Sequence, residues 1–95
     1  MSKLRKSAKG QECTVRIPGH CNHDPATVVL AHLNGAGLGM KHNDMHGAYA
    51  CSKCHSWLDG GYVKAHTRDE RDLAHLQGMV RTQRMMIANN LIGEL

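Results

Sequence analysis

Two short apolar runs in the middle of the chain have the composition of neighbouring strands. Residues 27–33, with the sequence Thr-Val-Val-Leu-Ala-His-Leu, are rich in β-branched side chains and predict a strand that carries His32 near its end. A glycine-rich loop is predicted over residues 34–43, and residues 47–50 predict a second extended piece that leads into Cys51. We therefore expect two strands joined by a polar, glycine-rich connection.

A third strand is expected closer to the N-terminus. Apolar and polar residues alternate over residues 13–17, and the turn-forming pair Pro18-Gly19 follows them. Residues 1–12 are different, because lysine and arginine are concentrated there, and we predict a basic N-terminal segment.

A short helix is predicted directly after the second extended piece. Ser52 is a good N-cap for a helix over residues 53–59, which would end at Gly60. Cys51 and Cys54 would then lie on the turn that enters this helix.

The C-terminal part of the chain predicts a long amphipathic helix over residues 67–92. Thr67 and Glu70 have the spacing of a capping box, so the helix should begin there. Apolar residues recur at helical spacing along it, at Leu73, Leu76, Val80 and Ile87. Such a helix also offers a surface through which the protein could form a homodimer.

The composition leaves little material for a hydrophobic core. The chain has 95 residues, no phenylalanine and 3% aromatic residues, so a metal, disulfides or oligomerisation must supplement the core. The first residues contain no apolar secretion signal, and no apolar run is long enough to span a membrane. We therefore expect a cytoplasmic protein with no membrane partner.

Four cysteines predict a structural zinc site. A wide pair, Cys13 and Cys21, precedes a tight pair, Cys51 and Cys54, and four thiolates saturate the tetrahedral preference of Zn²⁺. Disulfides are the alternative, but they are uncommon in a reducing compartment. His20 and His23 lie beside Cys21 and could replace a cysteine ligand. Covalent attachment of a c-type haem to Cys51-x-x-Cys54-His55 would leave the first pair unexplained.

His55 follows the last cysteine and is not needed by a four-cysteine zinc site. Asp59 lies four residues later, so both side chains share one face of the short helix and could hold a catalytic Mg²⁺, Mn²⁺ or Zn²⁺. His32, on the preceding strand, could take a proton from a water molecule. A general base and a divalent metal are the parts that phosphodiester hydrolysis requires.

The basic residues suggest contacts with nucleic acid. The formal charge is +4 with neutral thiols, and four thiolates with one Zn²⁺ would lower it to about +2. Dispersed cations contact phosphates without reading bases. The candidate nucleic-acid-binding residues are Lys6, Lys9, Lys41, Lys53, His42 and His46.

Two sets of residues resemble known proteins. The segment Leu30-Ala31-His32-Leu33, followed by Asp44 and by Cys51-Ser52-Lys53-Cys54-His55, resembles the HNH nucleases and their ββα-metal finger. Residues 4–19 and 50–55 resemble the small phage and prophage proteins of the YbcO family, which are described as nucleases. The chain differs from the wider HNH pattern in having Ala31 where a metal ligand often precedes the base. The middle asparagine of the HNH pattern also has no clear counterpart in this chain. His46 lies near the position where that asparagine is expected.

The resemblance implies a general base at His32, a ligand of the catalytic metal at His55, and zinc bound by the four cysteines. Together with the patterns above, it predicts a single α+β domain over residues 1–95, in which a zinc-stabilised ββα-metal finger precedes the long helix. The expected function is metal-dependent endonuclease cleavage of DNA, in phage or prophage DNA processing or recombination. The alternative is a zinc-knuckle module that binds nucleic acid without catalysis.

Overall fold

The protein has an α+β fold, as the sequence predicts. The computed structural model describes residues 3–32 and 44–93. Within them lie a two-stranded hairpin, a short helix directly after it and a long C-terminal helix. In chain order the elements are α1 (Lys3–Ser7), β1 (Val29–His32), β2 (Gly47–Ala50), α2 (Ser52–Asp59) and α3 (Arg68–Ala88). The predicted loop over 34–43, with Lys41 and His42, lies outside the described residues.

The two strands pair antiparallel at the centre of the protein. Val29 lies opposite Ala50 and His32 lies opposite Gly47. The start of β1 is later than predicted, because residues 25–27 form a 3₁₀ turn that the Asp24 side chain caps through the Ala26 N–H. All four residues of β2 are buried, so this strand forms the middle of the core.

The strand predicted over residues 13–17 is absent, and this prediction was wrong. Arg16 has a φ of 53°, in the left-handed region, which breaks the extended backbone there. Thr14 N–H donates to the Tyr49 carbonyl over 2.7 Å, so the segment touches the outer edge of β2 at one residue only. Val15 and Ile17 are nevertheless buried, so their alternation reflects burial and not strand pairing.

Helix α3 begins as predicted and ends earlier. Thr67 is its N-cap, and the capping box with Glu70 is complete. The helix ends at Ala88, before the predicted residue 92, and Asn90 adopts a φ of 58° just beyond it. Within the described residues, no helix combines the length and apolar character needed to cross a membrane.

The buried side of α3 is not its apolar side. The residues that face the core are His75, Gly78, Thr82 and Met86. Leu73, Leu76 and Val80 are 57%, 41% and 50% exposed. Gly78 explains the close approach, since a Cβ there would lie 3.0 Å from a methyl group of Val15 and 3.2 Å from Ala48 Cβ. The helix therefore contacts β2 with small and polar side chains.

Two threonines close the outer edge of β2 in place of a third strand. Tyr49 N–H donates to Thr82 Oγ1 over 2.9 Å, and Thr14 Oγ1 donates to the Tyr49 carbonyl over 2.9 Å. Because the Thr14 proton is used in that bond, the Thr82 hydroxyl donates to Thr14 Oγ1, also over 2.9 Å. The buried Tyr49 N–H thus has a side-chain acceptor from α3, and the Tyr49 carbonyl accepts from both the backbone and the side chain of Thr14.

We predict that Thr82→Val lowers the free energy of unfolding by about 1–3 kcal/mol, because it leaves the buried Tyr49 N–H without an acceptor. Urea denaturation of the zinc-loaded protein measures this. Thr82→Ser keeps the hydroxyl and removes only a methyl group, so it should cost less. An equal loss in both variants would assign the effect to packing.

Candidate metal centre and histidine cleft

The four cysteines come together from three parts of the chain. Cys13 and Cys21 lie in the N-terminal loop, Cys51 follows β2, and Cys54 lies in the first turn of α2. Their sulfur atoms all lie within 4.8 Å of one another, and none of the four forms a disulfide. The Cys21 and Cys51 sulfurs are 3.8 Å apart. A tetrahedron with Zn–S bonds of about 2.3 Å has edges of about 3.8 Å, so the cluster fits zinc.

Backbone N–H groups point at these sulfurs. Cys51 Sγ accepts from Asn22 N–H and from Cys54 N–H, each over 3.4 Å. Cys51 is therefore the N-cap of α2, a position that the sequence assigned to Ser52. Arg16 lies three residues after Cys13 and has a φ of 53°, and His23 lies two residues after Cys21 and has a φ of 54°. The left-handed backbone at both residues turns the chain back towards the preceding cysteine. Such outer contacts orient thiolate ligands and stabilise their charge.

The electrostatics of the cluster favour a bound cation. A hydrogen bond from Cys54 lowers the pKa of the Cys13 thiol to about 4, so Cys13 is a thiolate at neutral pH. The interaction with Cys13, and then burial, raises the pKa of Cys54, while burial raises that of Cys21. The raised pKa of Cys21 and of Cys54 opposes their ionisation, and a cation among the sulfurs would favour it.

His32 is held by a carboxylate that the sequence did not identify as its partner. His32 Nε2 lies 2.6 Å from Asp44 Oδ1, and Arg5 Nε donates to the same oxygen over 3.0 Å. An ionised carboxylate only accepts, so the proton of a neutral His32 lies on Nε2 and its lone pair lies on Nδ1. The His32 side chain is 22% exposed, which leaves this ring partly open to solvent. Asp44 therefore fixes the tautomer and the orientation of the candidate base.

His55 and Asp59 form a second pair on the exposed face of α2. His55 Nε2 lies 3.5 Å from Asp59 Oδ2. Two atoms that bind one ion at about 2.1 Å, at angles of 90–110°, lie about 3.0–3.4 Å apart, so the pair could share a divalent ion. Among residues 3–32 and 44–93, only the four cysteines bring three or more metal-binding groups within 4.8 Å. Water and substrate would have to complete coordination at His55 and Asp59.

One small cleft brings the candidate base and Asp59 together. His32 and Asp59 both line it, although they come from β1 and α2. Three charged or titratable residues of α3 that the sequence analysis missed line it too: Arg71, Asp72 and His75. They lie at helical spacing on α3, but nothing in the sequence indicates which side of that helix faces β1. His55 does not line this cleft, although its ring lies beside the Asp59 carboxylate.

His75 anchors the strand that carries His32. Its Nε2–H donates to the Ala31 carbonyl over 2.8 Å, and the side chain is buried. Burial lowers the pKa of His75, and the nearby Arg71 adds to this, while Asp72 and Asp59 oppose it. His75 is therefore neutral at pH 7 and fixes the backbone immediately before His32.

The N-terminal basic residues form a groove. Arg5, Lys6 and Lys9 line a depression of about 550 Å³ against the exposed edge of β1. Two other predicted nucleic-acid-binding residues are exposed elsewhere: Lys53 in the first turn of α2, and His46 in the 3₁₀ turn before β2. Lys6 and Lys9 thus share one groove with Arg5, and all three belong to the predicted basic N-terminal segment.

Comparison with known proteins decides the family. A family model described as "Putative nuclease YbcO" matches residues 2–90. The chain belongs to the YbcO family. Two relatives, "Putative nuclease YbcO" of Escherichia coli (strain K12) and its counterpart in Enterobacteria phage 82, are each 41% identical over 102 aligned positions. These cover 97% of this chain and 98% of each relative.

A solved structure shares this fold. It is that of a "putative bacteriophage protein" from E. coli K-12 MG1655, which is 38% identical and superposes with a TM-score of 0.76. The match covers 93% of this chain and 100% of the other. Relatives described as nucleases of the YbcO family thus come both from a phage and from a bacterium.

We predict that the purified protein holds one zinc ion per chain at the cysteine cluster and that Cys51→Ser is unfolded. Structural zinc contributes about 10–16 kcal/mol, which equals or exceeds the whole stability of a small domain. Metal analysis and circular dichroism measure both outcomes. Ser52→Ala, next in the chain but with an exposed side chain, should keep its zinc and its fold. A folded, zinc-free Cys51→Ser would contradict the assignment.

His75 also predicts a pH dependence of stability. Its pKa is lowered in the folded protein, so below about pH 6.5 the unfolded chain takes up a proton that the folded protein does not. The free energy of unfolding should therefore fall as the pH decreases below that value, by at most about 1.4 kcal/mol per pH unit for one proton. Thermal unfolding between pH 7.5 and 5.5 tests this.

His75→Gln is the control for this titration, since glutamine can still donate to the Ala31 carbonyl and does not titrate. Acid release of zinc affects both proteins alike and cancels in the comparison. Equal slopes for the wild type and the variant would show that His75 is not responsible.

Proposed function

We propose that this protein is an HNH-type endonuclease that hydrolyses phosphodiester bonds in DNA with the help of a divalent metal. It would act in phage or prophage DNA processing, in the cytoplasm of the bacterial host. The observation that carries the proposal is the cleft in which His32, held by Asp44, lies with Asp59. Membership of the YbcO family, whose description is that of a nuclease, supports it.

The order of the elements also supports an HNH-type site. The candidate base lies at the end of β1, and the chain returns through β2 to α2, which carries His55. This is the strand, strand and helix order of a ββα-metal finger. Asp44 precedes β2, and its contact with His32 gives it the orienting role for which the sequence offered no clear residue.

His32 would act as the general base. Asp44 accepts from Nε2–H, so Nδ1 carries the lone pair that takes a proton from the attacking water. Asp44 then stabilises the imidazolium that forms, because its carboxylate lies 2.6 Å from the charged ring. Arg5 donates to the same Asp44 oxygen, which helps the pair to keep its geometry while the charge changes.

His55 and Asp59 would hold the catalytic divalent ion. When bound, such an ion neutralises the phosphate and the leaving oxygen. Asp59 pairs with His55 and lines the cleft together with His32, which supports a metal-bound phosphate within reach of the base. The zinc cluster has no open position and keeps a structural role, because four sulfur ligands saturate it.

The basic groove would position the substrate. Arg5 lines it and also contacts Asp44, so the groove reaches the site of the base. Lys6 and Lys9 would bind backbone phosphates, whose recognition does not depend on base sequence. Lys53, at the N-terminus of α2, and His46 would add contacts near the metal pair, and Lys41 and His42 stay predicted contacts of the same kind.

We predict that the zinc-loaded protein nicks or linearises plasmid DNA in Mg²⁺ or Mn²⁺ and that His32→Ala is slower by at least about 10²-fold, because general-base catalysis is lost. Asp44→Asn should be slower by at least about tenfold, since its amide N–H favours the wrong tautomer of His32. His66→Ala, an exposed histidine that does not line the cleft, is the matched control and should cut normally.

A binding measurement in the same experiment separates the two functions under consideration. Lys6→Ala combined with Lys9→Ala should weaken DNA binding and lower the dependence of log K on log salt by about two, while Lys64→Ala should not. His32→Ala should bind as well as the wild type. Binding without cleavage in Mg²⁺, Mn²⁺, Ni²⁺ or Zn²⁺ would reject the nuclease and leave a zinc-stabilised nucleic-acid-binding module.

A further inference from the structure

A line of apolar side chains runs along the outside of α3. Leu73, Leu76 and Val80 are 57%, 41% and 50% exposed, and the half-buried Ile87 continues the line. The intervals of three, four and seven residues are those of a heptad repeat, in which these residues take the a and d positions. The pattern from Leu73 to Ile87 spans two heptads of the 21-residue helix.

The core does not require these side chains. At 100° per residue, Leu76 and Val80 lie on roughly the opposite side of the helix from Gly78 and Thr82, which contact β2. None of them lines the cleft of His32 or the basic groove. An amphipathic helix that buries His75, Gly78, Thr82 and Met86 against its own domain and exposes its leucines is arranged for a partner.

We infer that this line is a dimer interface, in which α3 packs antiparallel against α3 of a second copy of the chain. With the two-fold axis near residue 78, Leu76 packs against the partner's Val80, and Val80 packs against the partner's Leu76. Leu73 and Ile87 extend the contact towards the two ends of the helix. Each copy supplies the same surface, as a two-fold interface requires.

The charges beside the line select the antiparallel direction. Glu70 and Arg84 occupy equivalent positions, two heptads apart, flanking the apolar residues. Antiparallel packing brings Glu70 near the partner's Arg84 at both ends of the interface, whereas parallel packing sets each e residue against a g residue of the partner and does not form this pair. Glu70 is ionised, because the Thr67 N–H that caps it lowers its pKa. Its side chain is 56% exposed and can accept further bonds.

A second copy fits this surface better than nucleic acid does. The a and d positions at 73, 76, 80, 83 and 87 carry no lysine or arginine, and phosphate binding depends on cations. The one polar member, Gln83, already donates its amide to the Met45 carbonyl over 2.7 Å. The flanking Glu70 and Arg84 are complementary to the same two residues in a second copy of the chain. A chemically unrelated partner would need its own charges at matching positions.

Sedimentation equilibrium of the zinc-loaded protein, from micromolar to millimolar concentration, tests the dimer. The wild type should dimerise reversibly, and Leu76→Glu should raise the dissociation constant at least about tenfold. Val63→Glu is the matched control, since Val63 is 66% exposed and lies outside α3. Leu73→Ser combined with Val80→Ser is the second variant if Leu76→Glu loses zinc or helicity, and it should also be monomeric.

The direction of packing is tested through the charges. Glu70→Gln keeps the capping box and removes the charge, so it should weaken the dimer, as should Arg84→Gln, while Arg84→Lys should not. Added salt should weaken the wild-type dimer more than that of Glu70→Gln. A wild type that stays monomeric at every concentration would overturn the proposal and leave the surface for a different protein. So would a dimer that folded Leu76→Glu does not weaken.

Discussion

The cysteine cluster is the constraint on which the rest of the structure depends. It ties the N-terminal loop to the end of β2 and to the first turn of α2, and these segments share few large apolar side chains. Trp57 and Tyr49 are the large aromatic residues buried there, in a chain that has no phenylalanine. A metal ion bound by the four thiolates would supply folding energy that so small a core does not. It also fixes the direction in which α2 leaves the hairpin.

Polar contacts add to the stability that the small core gives the hairpin. A two-stranded hairpin is marginal alone, and here the outer edge of β2 is closed by Thr14 and Thr82, while His75 binds the carbonyl of Ala31 in β1. Sequence patterns predicted α3 and its capping box from Thr67 and Glu70, because these signals are local. They did not predict which side of α3 is buried. Hydrophobicity favoured the leucines, and the close approach at Gly78 selected the polar side.

Local chemistry also decided which parts of the site were predictable. The four cysteines and the i, i+4 pair of His55 and Asp59 are visible in the sequence, because ligand spacing and helix geometry are short-range properties. The contact between His32 and Asp44 spans 12 residues of chain, and that between Arg5 and Asp44 spans 39. No periodicity encodes such pairs. α1 was missed for a related reason, since its 5 residues bury no side chain of their own.

The N-terminal segment links the groove to the candidate base through one arginine. Ser7 shares a hydrogen bond of 2.7 Å with the Tyr49 hydroxyl, Gly10 N–H donates to the Pro25 carbonyl, and Ala8 is buried. These contacts hold a segment that is otherwise basic and exposed. Arg5 can then line the groove and bind Asp44 at the same time. Because Asp44 in turn orients His32, the surface that would bind the nucleic-acid backbone and the group that would activate water belong to one connected set of charges.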